Sequence, residues 1–427
     1  MRRRLWIALA LGLLFGLGGL AGLIDRFGNG HINANYGSGV PWALWVVFYI
    51  YFIGLSAGAF LISSLVYVFG VRRFERVGRL AVFTALICLI TALSFIWLDL
   101  GHMFRAYRTI LNPNFRSPMA WMIWLYSGYF LILLGEGWFL MRRDFAAMRA
   151  QGGVRGRLLG VLAFGTRPDT GQGQARDLRV VRVLGTIGVP LAVAFHGGVG
   201  ALFAVLASRP YWNTGLFPVM FLISALASGG ALLTAITQLL FNRDGSFDDE
   251  VRSLGRLVLL LLFVDVIMEI AEILISLYPS SPAHRAPFEE QMFGPYWWTF
   301  WILGLGMALV GPSIGLFVAR RSPRWIGLLS LVAVIGFVGV RWNIVLPGYA
   351  NELIPGLNMA YAETKLSLAY SPANMEWLVV SGAIGAALVF FVAGAWLFPL
   401  LGREQGKKVE DTLSTAGLAD LAVKEVE

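Results

Sequence analysis

Seven ionisable residues lie within long apolar stretches of this chain: Asp99, Glu136, His196, Asp265, Glu269, Glu272 and Arg341. A charge in apolar surroundings is costly, so each is a functional candidate by default. Asp99 sits in Trp97-Leu98-Asp99-Leu100-Gly101-His102-Met103-Phe104-Arg105. If the helix continues, Asp99, His102 and Arg105 are three apart on one face. A carboxylate, an imidazole and a guanidinium so placed could bind and deprotonate a hydroxylated ring; the alternative is an ion pair that anchors the helix end. His196, in Ala194-Phe195-His196-Gly197-Gly198, is either a packing residue or a neutral imidazole bonded to a carbonyl, with glycines that let a flat ring approach the backbone. Asp265, Glu269 and Glu272 fall at i, i+4 and i+7, one face of one helix. Three acids cannot all face lipid, and turned inward they repel unless some carry protons. Proton relays use that spacing; interhelical hydrogen bonds between neutral acids are the other reading. Glu136 could feed the same route from the opposite end.

These residues need apolar elements to hold them, and composition says which kind. Of 427 residues, 57% are hydrophobic and 14% charged, with a mean hydropathy of +0.70. A soluble chain carries about 25% charged residues, so this one belongs in a bilayer. One cysteine, Cys88, excludes an iron–sulfur cluster, which takes about four protein ligands, and also an internal disulfide or a cysteine-type zinc site. Four histidines, His31, His102, His196 and His284, leave little from which to ligate haem. The net charge of +9 is concentrated in short loops between apolar runs, which is a topology signal and not a nucleic-acid footprint.

A spanning helix takes about 20 apolar residues. Ten runs qualify: Leu5–Leu23, Trp42–Phe69, Leu80–Leu100, Met119–Met141, Val183–Ala207, Leu216–Phe241, Leu257–Leu277, Trp297–Ala319, Trp325–Leu346 and Trp377–Leu400. With the N-terminus cytoplasmic, 26 of the 34 Lys and Arg fall inside, so both termini are expected there. The first run follows Met1-Arg2-Arg3-Arg4 as a signal peptide would, but it is long and no A-x-A site follows, so it is read as a retained helix. Ser56-Ala57-Gly58-Ala59-Phe60-Leu61 recurs as Ser228-Gly229-Gly230-Ala231-Leu232-Leu233, 172 residues on and in the same direction. The expected architecture is therefore an all-α integral membrane protein of about ten helices. Two four-helix bundles in parallel pseudo-repeat (42–207 and 208–346) are flanked by a first helix with its outer loop (1–41) and by an outer loop, last helix and tail (347–427). The repeat sets Asp99 opposite the Glu269–Glu272 pair. The basic, glycine-rich segment from Arg142 to Arg179 reads as a flexible connector between bundles, and the tail after Gly402 as polar. The long outer segments carry aromatics and prolines, so a partner is expected on that side.

Several of these stretches resemble one known family. Pro41-Trp42 through Gly58-Ala59-Phe60-Leu61, then Leu98-Asp99-Leu100-Gly101-His102-Met103-Phe104-Arg105, are similar to the NrfD/polysulfide reductase C family. So are Gly188-Val189-Pro190 through His196, Arg209-Pro210-Tyr211-Trp212, and Ser224-Ala225-Leu226-Ala227-Ser228-Gly229. Ten helices resemble its longer branch, found in alternative complex III, in quinone reductase and Dsr-type sulfur complexes, and in hydrogenase-2-like enzymes. The resemblance implies a membrane subunit with no redox cofactor of its own that binds menaquinone or ubiquinone near the outer face. It implies electron exchange there with an extracytoplasmic iron–sulfur protein, and through it with a molybdopterin, hydrogenase or multihaem cytochrome subunit, in a bacterial or archaeal cytoplasmic membrane. By motif position, Asp99 and His196 take the quinone-site role, and Asp265 to Glu272 the proton role proposed for some members. A histidine and an asparagine ahead of the first core helix contact quinone in short members; here His31, Asn33 and Asn35 precede Trp42.

Together these readings predict a quinone or quinol site formed by Asp99, His102, Arg105, His196 and His31, with Asp99 and His102 handling the protons. A proton path by way of Glu136, Asp265, Glu269 and Glu272 is expected beside it. The rival functions are a secondary transporter or proton channel built on the same carboxylates, and a structural membrane anchor. Transporter repeats are often inverted with broken helices, and an anchor needs no buried acids.

Overall fold

The computed structural model describes residues 2–168, 171–242, 244–278, 282–352, 354, 356 and 367–401. All regular structure in them is helical. The ten long helices are α1 (Arg2–Asn29), α2 (Leu44–Tyr67), α3 (Glu75–Asp99), α4 (Pro118–Ala150), α5 (Gly171–Ala204), α6 (Phe217–Ile236), α7 (Asp248–Leu277), α8 (Thr299–Val318), α9 (Pro323–Val345) and α10 (Asn374–Leu397). Among the described residues nine are long and apolar enough to cross a membrane. α7 is as long, at 30 residues, but carries Asp265, Glu269 and Glu272 along its length. The chain is an integral membrane protein.

Helices α2 to α5 pack as one group, with α2 on α3, α3 on α4, α4 on α5 and α5 back on α2. Helices α6 to α9 repeat that cycle, α6 on α7, α7 on α8, α8 on α9 and α9 on α6. The two groups meet where α2 crosses α6, flanked by α5 on α6 and α9 on α2. Residues of the sequence repeat make that crossing. A Cβ built on Gly58 would lie 2.1 Å from the Ala225 carbonyl oxygen, and one on Gly229 2.5 Å from Gly58 Cα. The small residues are there because the backbones touch, as in other membrane-helix contacts. The flanking helices α1 and α10 pair antiparallel in the same way, with Gly19 against Gly382 and Gly16 against Gly385.

Two stretches depart from α geometry. The C-terminal end of α6 continues as a π-helix, Thr237–Phe241, closed by Asn242 N–H donating to the Thr237 carbonyl at 2.8 Å. Arg4 of α1 donates to the carbonyls left over there, at Gln238, Leu239 and Asn242. The first twelve residues of α8, Thr299–Val310, are also π-helical. Such wide turns are uncommon and frequent at functional sites; this one is fastened by Thr299 Oγ1 donating to Asn343 Oδ1 of α9 at 2.7 Å.

The segment from Arg142 to Arg179 is not the flexible connector expected. α4 runs on to Ala150, a short helix occupies Gly153–Leu162, and α5 is already helical from Gly171. Ion pairs hold these extensions: Asp177 accepts from both Arg142 and Arg143, and Arg79 pairs with Asp144 at 2.6 Å. The composition of the loop is basic and glycine-rich, but Arg142 and Arg143 are drawn onto Asp177 and order its two ends. The polar tail after Gly402 lies outside the described residues.

Candidate functional site

We call the end that carries the first residues of α1 the basic face, and the other the opposite face. α3 ends on the opposite face at Asp99 because Leu100 turns extended, with ψ 130. Arg26, at the last turn of α1, stabilises that end: its Nε donates to the Leu98 carbonyl and its Nη2 to the Leu100 carbonyl, each at 2.7 Å. Arg26 is 1% exposed and lies over the Trp45 ring at 5.6 Å. The helix therefore does not continue through His102 and Arg105, and Asp99 does not share a helical face with them. Both lie in the exposed loop that follows.

What surrounds Asp99 comes instead from the segment ahead of α2. The Tyr36 hydroxyl lies beside the Asp99 carboxyl and accepts the Trp45 backbone N–H at 3.0 Å. His31 stacks on Tyr36 with ring centroids 5.3 Å apart and tilts against Trp45 at 5.5 Å. Burial pushes the Tyr36 phenol well above its ordinary value, and the Asp99 carboxylate pushes it further, so Tyr36 stays a neutral donor. α10 closes the back. Trp45 Nε1 donates to the Glu376 carbonyl at 3.2 Å, and the Glu376 carboxylate accepts from the Tyr370 hydroxyl at 2.8 Å. Asn35 joins this wall, its Nδ2 donating to the Ser371 carbonyl at 2.7 Å, and Asn33 bonds Asp25. Within the group, Asp99 Oδ1 is buried and has no hydrogen-bond partner among the described residues. A buried carboxylate oxygen left without a partner beside a neutral phenol can serve as the polar partner of a quinone oxygen.

His196 is elsewhere. It is fully buried against Phe221 and Gly54. Gly54 is nine residues beyond Trp45 along α2, roughly 14 Å of helix rise. One quinone head cannot touch both Asp99 and His196. Instead His196 faces the second charged group of the core, Arg341 of α9, since a Cβ on Gly54 would lie 3.6 Å from His196 Cε1 and 3.3 Å from Arg341 Nη2. Arg341 is 1% exposed, donates to Ser224 Oγ at 2.6 Å, and sits over the Phe221 ring.

Arg341 also borders a narrow cavity inside the second group of helices, wide enough for about two water molecules. Asp265, Glu269 and Glu272 line it together, so the three acids do turn inward from one stripe. The π-helical part of α8 contributes Gly304, Leu305 and Leu309, and the short helix Pro282–Met292 covers the opposite-face end with Phe288 and Gln291. Asp265 Oδ2, Glu272 Oε2, Gln291 Nε2 and Arg341 Nη1 are buried with no hydrogen-bond partner among the described residues. Glu136 is also buried but belongs to the first group, beside Gly185 of α5. It does not open into the cavity of the three acids. Between it and the opposite face stand the hydroxyls of Tyr129, Ser56, Tyr126 and Tyr49, with Tyr49 bonded to Tyr126 and Ser56 3.3 Å from Tyr129.

Arg26, Tyr36, Trp45, Tyr370 and Glu376 were not among the residues singled out from the sequence. Glu376 carries a signal, as a lone charge at the opposite-face end of an apolar helix, whereas Arg26 is masked by its neighbour Asp25. Among the described residues no cluster of His, Cys, Asp and Glu has metal-site geometry.

The chain is thus a membrane protein of paired four-helix groups with a buried carboxyl at the opposite face. The model of the family described as polysulphide reductase, NrfD, matches residues 33–351, and the chain belongs to that family. It is 37% identical over 401 residues to a selenate reductase subunit of Mesobacillus selenatarsenatis, covering 92% of this chain and 93% of that protein. It is 26% identical over 406 residues, 92% and 89% of the two chains, to the Hdr-like menaquinol oxidoreductase integral membrane subunit of Archaeoglobus fulgidus. To the menaquinone reductase integral membrane subunit of Nitratidesulfovibrio vulgaris it is 25% identical over 387 residues, 82% and 84%.

Proposed function

We propose that this chain is the quinone-handling membrane subunit of a respiratory redox complex, with its quinone or quinol site at Asp99, Tyr36, His31 and Trp45. The observation that carries this is Asp99 Oδ1, buried and without a hydrogen-bond partner among the described residues, next to the Tyr36 hydroxyl, whose ring packs on those of His31 and Trp45. A bound quinone supplies the two-electron chemistry. Asp99 holds or takes the proton at the quinone oxygen, Tyr36 orients that carboxyl, and Arg26 keeps the helix end that bears it in place. Two relatives have menaquinol or menaquinone in their names, which supports a quinone for this chain too. The opposite face is then the extracytoplasmic one, by the positive-inside rule, and an iron–sulfur partner docking there reaches the quinone directly. His102 and Arg105, exposed on that face, suit contact with such a partner better than contact with the quinone.

The test is quinone-dependent turnover of the purified complex, native against Asp99→Asn, with assembly checked on the same preparation. Turnover lost from an intact complex supports the site; unchanged turnover overturns it, and an anchor-only role would leave turnover unchanged as well.

A second reading adds proton movement through the core, favoured by the water-sized cavity that joins Asp265, Glu269, Glu272 and Arg341. Asp265→Asn in reconstituted vesicles would then stop redox-linked acidification while turnover in detergent persists. Solute uptake by the chain without any redox partner would favour the transporter reading instead.

A further inference from the structure

We propose that the groove at the basic face between α1, α10 and the Gly153–Leu162 helix is a binding site for an anionic phospholipid. The groove holds about 560 Å³, within the usual small-molecule range of about 300–1,000 Å³. Leu5, Trp6, Phe241, Ala395, Trp396 and Leu400 line it, and among the described residues Arg155 is its one charged wall residue. Trp6 and Trp396 meet at 4.9 Å and give it an aromatic flank of the kind found at headgroup depth.

Two features show that Arg155 is aimed and not merely exposed. Its Nε donates to the free Leu397 carbonyl at the end of α10 at 3.0 Å. That bond fixes the guanidinium over the groove and leaves its two terminal nitrogens without a hydrogen bond among the described residues. The helix that carries Arg155 is itself held, by Trp138 Nε1 donating to the Leu162 carbonyl at 2.8 Å and by Gly156 and Gly160 packed on Met148 and Arg149.

That helix presents an apolar stripe away from the protein: Val154 at 76% exposed, Leu158 and Val161, spaced i, i+4 and i+7, with Phe164 just beyond. Arg155 and Arg157 flank the stripe. Such a helix lies in the headgroup layer with its apolar face down. The groove beside it is continuous with the lipid-facing sides of α1 and α10. An acyl chain along Trp6 and Trp396 with a phosphate on Arg155 satisfies both the apolar walls and the fixed cation. A free phosphate satisfies the cation alone, so the two sources are separable.

The test follows thermal unfolding of the purified, delipidated full chain with added phosphatidylglycerol, phosphatidylcholine or inorganic phosphate. Phosphatidylglycerol alone should raise the midpoint, saturably. Arg155→Gln should need about fivefold more of it for the same rise, the factor one basic residue is worth at a membrane surface. Arg157→Gln, outside the groove, should behave as native. Ala395→Phe keeps Arg155 and fills the groove, and should also lose the response, so the test survives if Arg155→Gln does not fold. A rise with phosphate alone, an equal rise with phosphatidylcholine, or an equal loss in Arg157→Gln would each overturn the proposal.

Discussion

The two four-helix groups share a packing cycle and part of a sequence, yet they have put their polar groups to different uses. In the first, Asp99 sits at the opposite-face end beside the Tyr36 hydroxyl with one carboxylate oxygen unpaired among the described residues. In the second, three acids and an arginine line a narrow interior cavity with several unpaired atoms. A lone unpaired acceptor beside a phenol suits a single guest. A row of them along a water-sized space suits mobile protons, because only small hydrogen-bonding molecules can satisfy atoms that face one another. The difference teaches that a buried carboxyl is not one kind of signal: its neighbours decide whether it can hold a ligand or pass a charge.

The largest effect that can break this comparison is at the paired acids. Asp99→Asn should lower quinone-dependent turnover by about 10²–10⁴-fold, the usual worth of a positioned proton acceptor, while Asp265→Asn leaves turnover in detergent within a few fold. Equal losses from both would merge the two regions into one site. Next comes Arg341→Met. Arg341 is the cation at the junction of the two groups, and removing it leaves the acids beside it uncompensated, at a cost of about 3 kcal/mol in thermal unfolding of the purified chain. A variant as stable as native would mean that the acids carry no charge for Arg341 to balance.

Smaller effects sharpen the first region. Tyr36→Phe removes one hydrogen bond at Asp99, worth about 1 kcal/mol, so the KM for quinol should rise roughly fivefold with kcat little changed. pH offers an independent check on the same phenols. Burial raises Tyr36 and Tyr370 above the ordinary value of 10.0, and Tyr296 to about 12. The folded chain therefore holds these protons more tightly than the unfolded one. Their contribution to stability is constant below pH 10 and is lost as pH rises above it. Melting points that climb between pH 10 and 11 would contradict their burial. Smallest of all, His102→Ala should change turnover less than twofold with the isolated quinol pool, because the side chain is exposed beyond the end of α3.

Much of the architecture was legible without coordinates. A run of 20 apolar residues has few options in water or lipid, so all ten predicted runs coincide with helices. The small residues of the repeat lie where the groups touch, since close backbone contact leaves no room for larger ones. The stripe of Asp265, Glu269 and Glu272 turned inward as helical geometry requires. The Asp99–His102–Arg105 face failed for a local reason: Leu100 leaves the helix, and Arg26, 72 residues earlier, takes up the carbonyls that end it.

What the sequence by itself determined is the class of solvent, the number of spans and which charges must hide. What only the tertiary structure decided is which of those charges meet. Asp99 and His196 lie apart although the motif pattern joins them, and Tyr36 reaches Asp99 although a whole helix lies between them in the chain. Periodicity along one helix says which way a side chain points. Whether anything stands opposite depends on how α1, α2, α3 and α10 pack, and that is set by contacts between residues tens to hundreds of positions apart, which no local pattern encodes.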